Sequence, residues 1–152
     1  MRSCLRSWVA AVLLVVASPL QAQAIREFQL QTVGVLRRDE FIGAGVGVAV
    51  RPTGRTRFAV SGTAGASDGA LALRAEVLLS YHLFPFRRAG VTPYAGGGVS
   101  TLVVRDRASP YLTLTLGVES APAGRSGWFL EAGVAGGARL AGGWRVRWGG
   151  RR

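Results

Sequence analysis

The sequence predicts an all-β fold, an eight-stranded antiparallel up-and-down transmembrane β-barrel that follows an N-terminal signal peptide. Three observations lead to this prediction. Stretches of about ten residues alternate between large apolar and small or polar side chains, which is the period of a β-strand. Eight such stretches follow one another, separated by turns of two alternating kinds. A short apolar run with the features of an export signal precedes them.

The N-terminal segment has the organisation of a signal peptide. Two arginines precede an apolar run over residues 8–17, and Ala22-Gln23-Ala24 supplies the small-x-small pattern of a cleavage site. A retained membrane anchor would need about 20 apolar residues, which this run does not reach. We therefore expect cleavage after Ala24, with residues 1–24 as the signal peptide and residues 25–152 as one outer-membrane barrel domain.

Composition excludes several classes of function. The only cysteine is Cys4 and the only histidine is His82, so residues 25–152 can form no disulfide, and we expect no metal site and no cofactor. All 19 basic residues are arginine, against 8 acidic residues, and the net charge without the signal peptide is +9. The arginines are spread along the chain without a basic helix or a recognition motif. An anionic membrane surface is therefore a better expected partner than nucleic acid.

The first four predicted strands cover residues 26–36, 42–50, 56–65 and 71–83. The first and the third are weakly patterned. The second alternates valine and isoleucine with Gly43, Gly45 and Gly47, and the fourth has the clearest alternation in the chain. In this fourth strand the leucines share one face, whereas Arg74 and Glu76 lie on the other.

The last four predicted strands cover residues 91–104, 112–119, 128–135 and 144–148. The fifth is weakly patterned, the sixth alternates leucine with threonine, and the eighth alternates Trp144 and Trp148 with arginine. Two kinds of turn separate the strands, as expected if the hairpin ends face two compartments. One kind combines proline, glycine and arginine, at 51–55, 85–90 and 122–125, and the other carries every aspartate, at 37–40, 66–69 and 105–107.

The apolar face of the strands is predicted to contact lipid and the polar face to line the lumen. The polar face carries mostly small side chains, as the interior of a narrow barrel requires. An arginine near the middle of the bilayer on the lipid face would cost roughly 2–4 kcal/mol. The charged residues of the polar face should therefore point into the lumen and form ion pairs there. Glu27 falls on the same face. The predicted interior network balances three arginines against three glutamates: Arg74, Arg145, Arg147, Glu76, Glu119 and Glu131.

Four aromatic residues are predicted to form a girdle at the membrane interface. They fall on the outward face, near the ends of the predicted strands: Tyr81, Trp128, Trp144 and Trp148. Tryptophan and tyrosine favour this position because one part of the ring system is apolar and the other is polar. Ordinary packing of large side chains is the alternative interpretation.

Two glycine-rich segments resemble the small outer-membrane β-barrel family of the OmpA and OmpX type. They are residues 92–99, in which a proline–tyrosine pair opens a glycine-rich strand, and residues 129–134. The resemblance implies an eight-stranded barrel with both termini on the periplasmic side. The expected partners are the outer-membrane lipids, including lipopolysaccharide, and the barrel-insertion machinery, with the barrel as a monomer. The chain departs from the family in ending on Gly149-Gly150-Arg151-Arg152 rather than on an aromatic residue.

Three functions are compatible with the sequence. A non-enzymatic barrel with a salt-bridged interior would act in envelope integrity or in surface interaction. A narrow pore is an alternative, although eight strands enclose little more than their own side chains. A lipid A-modifying enzyme is another, because Ser80, His82 and Glu76 share one strand face and a nucleophile needs an oriented base. These three residues would point into the barrel, however, whereas a lipid substrate approaches from outside.

Overall fold

The computed structural model describes residues 24–36 and 40–149. The predicted signal peptide, apart from Ala24, and the predicted C-terminal departure beyond Gly149 lie outside the described residues. Eight strands make up the fold: β1 (Ile25–Leu36), β2 (Phe41–Arg51), β3 (Thr56–Ser67), β4 (Ala70–His82), β5 (Val91–Val104), β6 (Arg107–Ser120), β7 (Ser126–Val134) and β8 (Ala138–Gly149).

The strands form one closed antiparallel barrel in chain order, and β1 pairs with β8 to complete it. The predicted fold class is therefore confirmed. Closure leaves no free sheet edge, which is what a sheet in hydrocarbon requires. Two predicted strands are too short, because β6 begins at Arg107 and β8 begins at Ala138. The residues left out of the prediction, 107–111 and 138–143, lack large apolar side chains at every second position. The alternation therefore indicates a strand only after them.

No helix in the described part of the chain is long and apolar enough to cross a membrane.

Side chains alternate between the two faces along every strand. The outward residues of β4 are exposed aliphatic or aromatic side chains, such as Leu71 and Tyr81, while Arg74, Glu76 and His82 are buried inside. The lumen changes character along its length. Its apolar part lies at the end away from the termini and is formed by Val33, Val35, Phe41, Ala72 and Ala141. The charged part begins beside the apolar part, at Arg74 and Arg139, and extends to the other end, here called the terminus end, where β1 begins and β8 ends.

Inward glycines allow neighbouring strands to approach closely in this narrow barrel. A Cβ atom at Gly143 in β8 would overlap the carbonyl oxygen of Leu30 in β1, and one at Gly98 in β5 would overlap that of Val77 in β4. Such contacts mark places where the sheet bends strongly, and glycine is the residue that permits this. The glycines thus serve the curvature of the sheet.

Among the connections that the structure describes in full, those at the terminus end are longer than those at the opposite end. Residues 52–55, 83–90 and 121–125 connect strands at the terminus end, whereas two-residue turns at 68–69 and 105–106 and a three-residue turn at 135–137 lie opposite. In Asp68-Gly69 and Arg105-Asp106 both turn residues have positive φ, as type I′ hairpins require. Outer-membrane barrels generally show the reverse asymmetry, with short periplasmic turns and long outer loops.

Candidate functional site

Ten charged side chains are buried together in the lumen and form its most distinctive chemical feature. All of them are less than 9% exposed. They comprise six arginines and four glutamates: Arg51, Arg57, Arg74, Arg139, Arg145, Arg147, Glu27, Glu76, Glu119 and Glu131. We call this set the lumen network.

Two carboxylates gather the arginines at the terminus end. Glu27 accepts hydrogen bonds from Arg51 at 2.6 Å, from Arg57 at 2.6 Å and from Arg147 at 3.0 Å. Glu119 lies opposite and accepts hydrogen bonds from Arg51 and from Arg147, each at 2.8 Å. Each of these two carboxylates therefore binds several guanidinium groups, which arrive from different strands.

The other two carboxylates lie further along the lumen. Glu76 in β4 accepts hydrogen bonds from Arg74 and from Arg139, both at 2.8 Å. Glu131 in β7 accepts one from Arg139 at 2.9 Å. Tyr94 donates a further hydrogen bond to Glu131 at 2.8 Å. These groups connect β4, β5, β7 and β8 across the interior of the barrel.

Two arginines of β8 join these groups into one continuous network. Arg145 donates to Glu119 at 3.0 Å and to Glu131 at 3.2 Å, and it also lies over the ring of Phe129. Arg139 connects Glu131 with Glu76 in the same way. Every strand contributes at least one side chain, because β5 takes part through Tyr94. Charges in a low-dielectric interior are tolerated when they are paired in this manner.

The predicted balance of three arginines against three glutamates is wrong. All six predicted residues lie in the lumen, as does Glu27, which was also expected on this face, but the structure adds Arg51, Arg57 and Arg139. Arg51 adjoins Pro52, and the sequence pattern places it in the 51–55 turn and not in a strand. Arg57 belongs to a weakly patterned strand, and Arg139 precedes the predicted start of the eighth strand. Their inward positions follow from strand parity once the strand bounds are known.

The three residues considered for catalysis do not form a catalytic arrangement. His82 places Nδ1 2.8 Å from Oε1 of Glu119, and its ring stacks on Tyr94. Glu76 instead binds arginines. The Oγ of Ser80 is buried and has no hydrogen-bond partner within the described residues. His82, the candidate base, is thus oriented by Glu119 and not by Glu76. No hydrogen bond links it to the Ser80 hydroxyl.

The four predicted girdle residues all point outward. Tyr81 and Trp148 lie at the ends of β4 and β8, on the terminus side. Trp144 lies in the middle of β8 and is paired with Trp128 across the β7–β8 ladder, so its predicted position near a strand end is wrong. The late predicted start of the eighth strand caused this error.

A cavity of about 450 Å³ opens at the end away from the termini. Apolar side chains such as Val35, Phe41 and Leu102 form much of its wall, and the buried Arg74 contributes to the lining. The lumen network therefore begins where the cavity ends. No group of acidic residues, histidine and cysteine in the described ranges 24–36 and 40–149 could hold a metal ion.

Comparison with known proteins identifies the fold. The chain matches none of the protein-family models and no curated protein. Among solved structures, it is similar to the N-terminal β-barrel domain of Pseudomonas aeruginosa OprF, with a TM-score of 0.62, 15% identity and coverage of 83% of this chain and 98% of that one. Pseudomonas aeruginosa OprG gives a TM-score of 0.61 at 10% identity, covering 84% and 97%. Neisserial surface protein A gives 0.57 at 15% identity, covering 82% and 97%.

These solved structures are eight-stranded outer-membrane β-barrels. The resemblance predicted from the glycine-rich segments is therefore confirmed at the level of the fold. At identities of 10–15% the likeness concerns architecture, and it transfers no ligand or activity to this chain.

Proposed function

We propose that this chain, which has the fold of a small outer-membrane β-barrel, is a non-enzymatic component of the outer membrane that acts in envelope integrity. The lumen network is the observation that carries the proposal. It places paired charges from seven of the eight strands in the interior, and Tyr94 of β5 donates a hydrogen bond to one of its carboxylates, so the network links strands on opposite sides of the barrel. Such an arrangement suits a rigid element of the envelope.

The resemblance to small outer-membrane barrels supports an assignment of the two sides of the membrane. We infer that both termini face the periplasm, which places the two-residue turns of 68–69 and 105–106 outside. Among the described connections at that end, these short turns offer little surface for recognition, which favours envelope integrity over surface interaction. The partners we propose are the outer-membrane lipids, including lipopolysaccharide, and the barrel-insertion machinery, with the barrel itself as a monomer.

The network also favours a closed barrel over a pore. An ion crossing the lumen would have to pass Arg139 and Arg145, whose guanidinium groups each hold two carboxylates across the interior. Rearranging buried ion pairs costs several kcal/mol per broken pair, roughly 3–5 kcal/mol. A closed lumen follows at ordinary membrane potentials, because one charge moved through 100 mV gains only about 2.3 kcal/mol.

Conductance in planar bilayers tests the proposal. The purified protein should show heat-shifted gel mobility and a β-rich circular dichroism spectrum. It should nevertheless produce no stable current steps in 1 M potassium chloride, where the Debye length is about 3 Å. A variant with Arg139→Ala, Arg145→Ala and Glu131→Ala should conduct if it inserts, since these truncations remove the middle of the network.

Matched controls keep the outcomes separate. The control variant carries Leu112→Ala and Leu130→Ala on the lipid face. These substitutions remove side-chain volume without touching the lumen, so this variant should produce no current steps. Stable steps from the unmodified protein would establish a pore instead. A β-rich protein that stays soluble without detergent would overturn the membrane assignment altogether.

A further inference from the structure

The exposed charges of the barrel are distributed unequally between its two ends. Among the described residues, five exposed arginines lie at the terminus end, and we call them the arginine collar: Arg26, Arg55, Arg87, Arg88 and Arg125. Within the described residues the exposed acids are Glu40, Asp68 and Asp106, and all three lie at the opposite end. The terminus end therefore presents a cationic rim, with no exposed acidic side chain among the described residues.

Exposed aromatic side chains are concentrated at the same end. Phe84 and Phe86 in the 83–90 connection are 55% and 72% exposed, and Tyr81 and Trp148 end their strands nearby. The outward face at the opposite end is aliphatic, with residues such as Leu36 and Leu71. Aromatic side chains favour the headgroup region of a bilayer, so the terminus end has the composition of a membrane interface.

Two collar arginines are placed at the depth of these aromatic residues. The guanidinium of Arg55 donates a hydrogen bond to the hydroxyl of Tyr81 at 3.0 Å. Arg26 points outward from β1 directly opposite Trp148 of β8. A guanidinium at this depth lies beside lipid phosphates, to which it can donate two parallel hydrogen bonds.

The connections that carry the other collar residues are held in place. The backbone N–H of Ala123 donates to the carbonyl of Arg87 at 3.0 Å, which ties the 83–90 connection to the 121–125 turn. From inside the lumen, Arg147 donates to the carbonyls of Ala121 and Gly124. Preorganised connections reduce the ordering cost of binding. The backbone that carries Arg87, Arg88 and Arg125 is thus held in place by these hydrogen bonds.

We propose that the arginine collar binds the phosphate groups of anionic phospholipids in the leaflet that borders the terminus end. The inference rests on the proposed function in so far as the barrel must lie in a membrane. Headgroups are the favoured occupant because the collar adjoins the lipid-facing surface and Arg55 and Arg26 sit among interfacial aromatic residues. If the termini face the periplasm, the collar selects lipids of the inner leaflet.

Tryptophan quenching measures this selectivity. Trp128, Trp144 and Trp148, the tryptophans of the described residues, all lie outward in the half of the barrel nearest the collar. The protein is reconstituted in phosphatidylcholine vesicles that contain increasing phosphatidylglycerol, and one of the two lipids carries brominated chains. Each basic residue near an anionic surface contributes about 1 kcal/mol, which corresponds to about a five-fold preference. The unmodified protein should prefer phosphatidylglycerol by about five-fold or more.

Matched variants identify the end that binds. Arg87→Gln with Arg88→Gln should lower the preference at least about five-fold, and 0.5 M salt should weaken it in the unmodified protein by screening. Arg105→Gln with Arg107→Gln, at the opposite end, should leave it unchanged. Equal quenching by both lipids overturns the proposal, as does a preference lost only in the Arg105/Arg107 variant. Binding of polyglutamate in pure phosphatidylcholine vesicles, without lipid preference, would make an acidic protein the occupant.

Vesicle insertion separates this proposal from the preceding one. A protein that shows heat-shifted mobility in vesicles but no lipid preference contradicts the collar alone. A protein that does not enter vesicles contradicts the membrane assignment.

Discussion

Substitution of Glu119 by glutamine removes the negative charge at the most connected point of the lumen network. Three arginines and His82 lie within 3.0 Å of this carboxylate. Removing one partner of a buried ion pair costs about 3–5 kcal/mol, because the remaining charge stays buried. Arg51 and Arg147 keep Glu27, and Arg145 keeps Glu131. We therefore expect the lower part of that range, a loss of about 3 kcal/mol in the free energy of unfolding.

Urea unfolding in lipid vesicles measures this loss, with tryptophan fluorescence and gel mobility as independent readouts. With a slope of about 2 kcal/mol per molar urea, the midpoint should fall by about 1.5 M. Glu40→Gln is the matched control. This acid is exposed at the opposite end, so its substitution should change the stability by no more than about 0.5 kcal/mol.

A double-mutant cycle separates the ion pairs from general packing. Arg51→Gln and Glu119→Gln should interact by about 1 kcal/mol or more, since Arg51 donates two hydrogen bonds to that carboxylate. A midpoint of the Glu119→Gln variant that coincides with that of the unmodified protein would refute the view that the network stabilises the barrel. Purely additive effects of the two substitutions would refute their direct coupling.

Two backbone features yield further predictions. Gly143→Val should abolish the heat-shifted gel species, since its Cβ would overlap the carbonyl of Leu30, whereas Gly62→Ala should fold normally because a Cβ there meets nothing within 4 Å. Replacing Arg105-Asp106 by Asn-Gly should raise the urea midpoint by about 0.5 M, since a non-glycine residue with positive φ costs about 1 kcal/mol and the change puts glycine at one of the two positions. An unchanged or lower midpoint would contradict the idea that this turn is strained.

The strand count, the topology and the inward charges of the best-patterned strands could be predicted from the sequence. Alternation assigns a face to each residue, so Arg74 and Glu76 were placed inside from parity alone. The energy of an arginine in lipid also decided the register of Arg145 and Arg147. These local rules need no knowledge of the neighbouring strands.

The partners within the network could not be predicted, because they depend on the tilt of the strands. Arg51 and Glu119 are 68 positions apart in the chain, and Arg147 and Glu27 are 120 apart. Only closure of the barrel brings such residues together. Arg51 was missed for a different reason, since an arginine beside a proline turn is normally solvated. Here the last residue of β2 still points into the lumen.

The three arginines of β8 give the last strand a way to reject wrong alignments during closure. Glu27 and Arg147 stand directly opposite each other where β1 meets β8. A slip of one residue would turn every side chain of β8 to the other face and expose its arginines to hydrocarbon. Each would then cost about 2–4 kcal/mol at mid-depth and less near the headgroups. A slip of two residues would keep the arginines inside but place Gly149 or Arg145, instead of Arg147, opposite Glu27. The inward arginines therefore protect the closing register of β1 and β8 most strongly against slips that reverse the two faces of β8.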